Sequence, residues 1–187
     1  MTGKREAKRR DKAARVSRAA QEVFSSEPFD TVTTAQLADR AGLTTGTFFR
    51  YATSKAELFI ETYSNVLEQC LEAARALPDS AAAETRVLAL AEPMIRAAEK
   101  HPGNVSAFQR EVLFGSGSGP HRERAIELVI EIEREIKEIL GDKDLAHAVY
   151  ATLYMAIVRV SVGTLKPQDL RANIRARISF LLSTTNR

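Results

Sequence analysis

A single cysteine, Cys70, in a chain of 187 residues excludes an internal disulfide framework. Three histidines, at 101, 121 and 147, are too few and too far apart for a zinc-type ligand set, so no metal and no cofactor are expected. No run of about 18 uncharged apolar residues occurs. The first residues also lack an apolar segment ahead of a small-residue cleavage site. The expectation is a cytoplasmic protein with no membrane partner. Sustained period-two alternation, the mark of a half-buried strand, is missing as well. So is any catalytic constellation: there is no Ser-His-Asp arrangement, no phosphate loop, and no pair of carboxylates beside a histidine. An enzyme is not expected.

With 44% hydrophobic residues the chain can bury a proper core, and 27% charged residues are ordinary for a soluble domain. The net charge of +3 hides an uneven distribution. Residues 1–18 hold eight basic side chains, from Lys4 to Arg18, against Glu6 and Asp11, a balance of +6, while the remainder sums to −3. One end of the protein is therefore suited to a polyanion. A solvated, disordered tail is the other reading, and the two are compatible because such arms can order only on the duplex.

Helical spacing recurs from Arg9 to Leu182, so the fold class is all-α, with about nine helices. The first is predicted over 9–24, where Val16, Ala19, Ala20, Val23 and Phe24 share a stripe. Pro28 lies in the break that follows. A second helix starts at Thr33, which forms a capping-box pattern with Gln36, and ends at Gly42. A third spans 44 or 45 to 51. A fourth begins at Ser54, paired with Glu57 in the same capping pattern, and runs to 77. Period and punctuation place the others at 82–100, 103–114, 120–140, 144–162 and 168–182, with Pro93 as a kink or break. Residues 115–120, GSGSGP, form a loop.

Residues 33–58 read TTAQLADRAGLTTGTFFRYATSKAEL. Ala38 allows close helix contact, Gly42 supplies a turn, and Phe48 plugs the pair from the following helix, which together describe a helix-turn-helix. In such a unit the second helix enters the major groove and the first crosses the backbone. This stretch resembles the signature of the tetracycline-repressor (TetR) family: a Thr-capped helix, a Leu-Ala pair, Ala-Gly-Leu, a Gly-Thr step, two aromatics, Tyr51, and Ser-Lys leading to Leu58. Residues 23–32, with Phe24 and Phe29, look like the family's connection between its first two helices. The resemblance covers roughly residues 9–60.

The resemblance implies an N-terminal three-helix DNA-binding domain over 1–54 and a helical effector-binding and dimerisation domain over 55–187. It also implies that Thr33 and Lys55 touch phosphates at helix N-termini, and that Thr45, Gly46, Thr47, Phe49, Arg50 and Tyr51 face DNA. Arg50 either reads guanine bidentately or contacts phosphate, and Thr44 is either a helix cap or a DNA contact. Two departures from the family pattern stand out. Phe49 replaces a tyrosine that contacts phosphate, though it can pack against sugar or a thymine methyl. Ala52 replaces a phenylalanine that closes the recognition helix onto helix 4, a space that Tyr51, Phe48 and Phe59 are expected to refill.

In the C-terminal part, residues 144–162 are apolar nearly all round, and Leu170, Ile174, Ile178 and Leu181 form a stripe on the last helix. This pair resembles the family's four-helix dimer interface, with Val158 included; burial within one chain is the alternative. Arg159 is isolated in its apolar helix and needs a partner. Either a glutamate of residues 127–138, otherwise a solvated face, pairs with it, or it snorkels to the surface, or it anchors an acidic effector in a pocket with Met94, Phe108, Tyr150 and Tyr154. The expected function is a transcriptional regulator, a repressor released from a palindromic operator on double-stranded DNA by an unidentified small-molecule effector and acting as a homodimer. A constitutive DNA-binding regulator and a helical enzyme are the alternatives.

Overall fold

The computed structural model describes residues 2–115 and 119–185; residues 116–118 of the expected 115–120 loop lie outside the described residues. Among the described residues there are nine α-helices and no strand: α1 Thr2–Phe24, α2 Thr34–Arg40, α3 Thr45–Phe48, α4 Lys55–Arg75, α5 Ala83–Lys100, α6 Pro102–Phe114, α7 Pro120–Leu140, α8 Lys143–Ser161 and α9 Leu170–Thr185. A single 3-10 turn, Pro167–Asp169, precedes α9.

The helix ends follow local chemistry, and most match expectation. Thr33 caps α2 through the predicted capping box, with Gln36 N donating to Thr33 Oγ1 at 3.2 Å and Thr33 N donating to Gln36 Oε1 at 2.7 Å. Ser54 caps α4 by accepting from Glu57 N, but the Glu57 carboxylate turns away and accepts from His121 N at the start of α7. Two expectations change. α1 begins at Thr2 rather than 9, because its Ala, Lys and Arg residues are strong helix formers and Glu6 pairs with Arg10 one turn on. Residues 4–11 are exposed, and full burial begins at Val16. Pro93 causes no break: α5 runs through it, with the ring buried.

α4 is the shared element. It packs on α1 at one end and on α5, α6 and α7 along the rest of its length, while α9 lies against α8 and α5. One continuous core joins Val16, Phe24 and Phe48 near the N-terminus to Leu128, Ile136 and Ile174 beyond it. Leu170, Ile174 and Ile178, expected at a dimer interface, are 0%, 1% and 0% exposed within the single chain. They are core of one protomer, because the stripe is covered by α8 and α5. Val158 and Leu181 are half-buried, and the exposed apolar side chains here are Met155, Val162 and Phe180.

The glutamates of α7 are not simply a solvated face. Glu135 is 5% exposed and takes Arg75 Nε at 2.8 Å and Arg86 at 3.9 Å, while Glu131 takes Arg75 at 3.0 Å. Hydrogen bonding to Arg75 holds the Glu131 carboxyl below its usual range and raises the guanidinium in return. None of these glutamates pairs with Arg159 among the described residues.

The segment between α1 and α2 has no regular structure, so side chains from elsewhere must satisfy its backbone. Asn104, 1% exposed in the first turn of α6, supplies three of these bonds. Its Nδ2 donates to Phe24 O and Glu27 O, both at 3.0 Å, and its Oδ1 accepts from Phe29 N at 2.7 Å. Replacing Asn104 by Leu, similar in volume, orphans three backbone groups; at about 1–3 kcal/mol each with partial rescue by water, a loss of about 2–4 kcal/mol in chemical denaturation is expected. A change under about 0.5 kcal/mol would show that the segment is held without it.

Candidate nucleic-acid interface and internal cavity

The turn after α2 is closed by two backbone bonds, Leu43 N to Ala38 O at 2.9 Å and Gly42 N to Asp39 O at 2.8 Å, the pattern of a Schellman motif. It requires a left-handed residue, and Gly42 has φ 64. A side chain there would also collide with Arg15, whose Nη2 lies 2.5 Å from the place a Cβ would take. Arg15 was expected among the cations of the N-terminal arm. Instead its guanidinium donates to Ala41 O at 2.6 and 3.0 Å and to Gly42 O at 2.9 Å, clasping the turn from α1.

Thr44 then caps α3, accepting from Thr47 N at 3.3 Å, while its hydroxyl donates to Thr47 Oγ1 at 3.0 Å. The helix proper is only Thr45–Phe48, shorter than the expected span to 51. Arg50 N to Thr47 O and Tyr51 N to Phe48 O tighten the chain into turns that continue to Ala52. Phe48 is fully buried beneath this segment and meets the Phe49 ring edge-on at 5.8 Å. Ala52 is itself buried, and Tyr51 packs its ring on the core. Phe59, by contrast, packs on Phe24, Phe29 and Tyr63.

Thr45, Gly46, Phe49 and Arg50 are left on the surface, with Phe49 51% exposed. Arg50 makes no ion pair or side-chain hydrogen bond among the described residues, and neither do Lys4, Arg5, Lys8, Arg9, Lys12 and Arg18 of α1. Thr33 and Thr44 spend their hydroxyls as caps yet remain exposed. Lys55 does not reach outward. Its ammonium donates to Phe29 O at 2.8 Å and Val32 O at 2.9 Å and sits 4.2 Å from the Phe29 ring centroid. In the free chain the ammonium therefore has a structural role, tying the segment ahead of α2 to the start of α4.

A cavity of about 110 Å³ lies between α4, α5, α6, α7, α8 and α9. Met94, Phe108, Tyr150 and Tyr154 line it as expected, and Arg159 does not. Cys70 and Gln109, which carried no recognisable signal in the sequence, also line it. Phe108 stacks on Tyr63 at 5.7 Å, Tyr63 meets Phe59 at 4.8 Å, and Phe59 meets Phe24 at 4.9 Å and Phe29 at 4.3 Å. A chain of packed rings thus runs from the cavity wall to the segment ahead of α2.

Residues 16–62, which contain the whole of this helix-turn-helix, match the sequence profile described as bacterial regulatory proteins, tetR family. The match covers the N-terminal part of the chain, and over that segment the chain resembles the tetR family. No curated protein matches it. Among solved structures, a TetR transcriptional regulator from Rhodococcus sp. RHA1 is 19% identical, with 94% of this chain and 97% of that one covered and a TM-score of 0.64. Thermus thermophilus FadR, a TetR-family transcriptional repressor in complex with lauroyl-CoA, is 22% identical, with 91% and 93% covered and a TM-score of 0.68. The fatty acid degradation regulator FadR from Bacillus halodurans is 15% identical, with 91% and 94% covered and a TM-score of 0.64. At these identities the likeness shows the fold, and this chain shares the tetR-family fold over nearly its whole length.

Gly46 stands apart from Gly42 within the tetR-family motif. A Cβ built on it meets nothing within 4 Å, and its backbone conformation is ordinary for any residue. Nothing among the described residues requires glycine there, and a closely approaching DNA backbone is the expectation that the substitution tests. Gly46→Ala should therefore stabilise the free protein by roughly 0.5–1 kcal/mol while weakening DNA binding, with thermal unfolding and a DNA titration as the paired measurements. Unchanged DNA affinity would remove Gly46 from the interface.

Proposed function

We propose that this chain is a tetR-family repressor that binds a palindromic operator as a two-fold dimer and leaves it when a small molecule occupies the cavity. The observation that carries the reading is the exposed set Thr45, Gly46, Phe49 and Arg50 on a segment fixed by a capped helix, the Arg15 clasp and buried Phe48. Side chains that must read base edges have to be held still and left unspent. Thr33, Thr44, Thr47 and Tyr51 flank that set, and the unpaired cations of α1 supply phosphate contacts. Residues 1–54 then form the DNA-binding unit and residues 55–187 the effector and dimer unit, with α4 common to both.

One short recognition helix covers too few base pairs for useful specificity, which supports a dimer. Met155 at 52% and Phe180 at 66% exposure offer the apolar face for it, in place of the buried stripe of α9. For release, α6 carries Phe108 in the cavity wall and Asn104 on the α1–α2 segment, so a shift of this helix reaches the DNA-binding unit directly. The Thermus thermophilus structure holds lauroyl-CoA, and a ligand-occupied relative of the same fold favours an effector here too. Linkage requires that effector and operator weaken each other by the same factor.

Three measurements test the proposal. The logarithm of DNA affinity should fall against the logarithm of salt concentration with a slope of roughly −0.9 per phosphate neutralised, so a slope near zero sinks it. On a duplex selected from a random library, Arg50→Ala should cost about 1–3 kcal/mol, with little loss on unselected DNA. In sedimentation, Phe180→Glu should yield folded monomers that bind the selected duplex poorly. A Phe180→Glu variant that stays dimeric would move the interface elsewhere.

A further inference from the structure

None of the residues lining the cavity is Asp, Glu, Lys, Arg or His. Among the lining residues the polar side chains are Cys70, Gln109, Tyr150 and Tyr154. Burial pushes the Cys70 thiol up to about 12, against smaller opposing effects from the Met94 backbone and Arg96, so it stays protonated at neutral pH. Burial likewise raises the Tyr150 phenol, with the nearby Glu133 charge acting in the same direction. A carboxamide does not ionise. The wall therefore carries hydrogen-bonding groups but no charge, and Arg159, the cation that an acidic ligand would need, is outside it.

A charged group drawn into such a space loses its hydration and gains no counter-ion, whereas a hydroxyl or carbonyl can be satisfied by one amide or phenol. Natural interiors are close-packed, and an unfilled apolar space lowers stability, so a cavity of about 110 Å³ needs a reason. For scale, an engineered apolar cavity of about 150 Å³ takes up benzene. The flexible Met94 thioether and half-exposed Leu113 in the wall give it room to adapt.

We propose that the cavity binds an uncharged, predominantly apolar molecule, a hydrocarbon ring or chain bearing at most one neutral hydrogen-bonding group, and rejects the carboxylate of the same skeleton. This rests on the reading of the cavity as a ligand site and gives that site a chemical class. Any charged end of a larger ligand stays outside the wall.

Toluene, p-cresol and benzoate, which share one ring, are suitable probes for the full-length protein. Toluene and p-cresol should raise the unfolding temperature in a concentration-dependent way, and benzoate should bind at least tenfold more weakly than p-cresol at pH 7.5. Ala91→Leu, which fills the cavity from a small buried wall residue, should reduce toluene binding at least tenfold. Gln109→Lys, which adds a cation to the wall, should shift the preference toward benzoate and remains informative if the Ala91 variant does not fold. Equal binding of p-cresol and benzoate to the unaltered protein, or no binding of either neutral ring, overturns the proposal. Neutral selectivity with no change in operator affinity supports this ligand class and overturns the effector reading alone.

Discussion

Nine residues between α1 and α2 have no helix of their own, and the placement of the helix-turn-helix depends on how their backbone is held. Phe24 O, Glu27 O and Phe29 N are taken by Asn104 of α6, Ser25 O accepts from His101 Nε2 at 2.8 Å, and Phe29 O and Val32 O accept from Lys55 of α4. Each bond comes from the C-terminal part of the chain. Buried backbone groups without partners cost more than made bonds return, so the segment is tied to α5, α6 and α4 together. The DNA-binding unit is in this sense docked on a polar socket, and its orientation follows that of three helices.

The same region is cemented by rings. Phe24, Phe29, Phe59, Tyr63 and Phe108 pack in sequence at centroid separations of 4.3–6.1 Å, and close-packed side chains transmit displacement because they cannot be compressed. Polar socket and aromatic chain converge on α6, which carries both Asn104 and Phe108. Ion pairs add a further layer. Arg171 of α9 pairs with Glu92 and Glu99 of α5, and Arg75 joins α4 to α7 through Glu131 and Glu135. These bonds fix helix pairs that form the cavity wall, while contributing little each where they are exposed.

The N-terminal half was legible in the sequence because its signals are local. Thr33 with Gln36, and Gly42, act within one turn of where they stand and behave as their spacing implies, and Ser54 caps α4 as expected although the Glu57 carboxylate is taken by His121 N. Asn104 was invisible because its partners lie 75–80 residues earlier and are backbone atoms. The α9 stripe was read as an interface because a periodic apolar face reports only that something covers it. In this chain the cover for Leu170, Ile174 and Ile178 is α8 and α5. Arg15 was placed by the charge of the N-terminal stretch and Lys55 by resemblance and its position at a helix N-terminus, and neither signal reports which backbone carbonyls lie within reach. Cys70 and Gln109 gave no hint of a cavity, since a residue beside a void and one in a filled core have the same sequence pattern.

The early start of α1 has a mechanical consequence. Residues 2–15 form helix that leaves the core, and at about 1.5 Å per residue the projection is roughly 20 Å long. Its base is rigid, with Val16 buried and Arg15 pinned to the turn ahead of α3. Lys4, Arg5, Lys8 and Arg9 therefore move as the tip of a lever whose fulcrum is the helix-turn-helix itself. A rotation of about 10° at that fulcrum sweeps the tip by roughly 3.5 Å over such a length, comparable to the spacing of successive base pairs. Small reorientations of the socket would thus be amplified into displacements of the cationic tip.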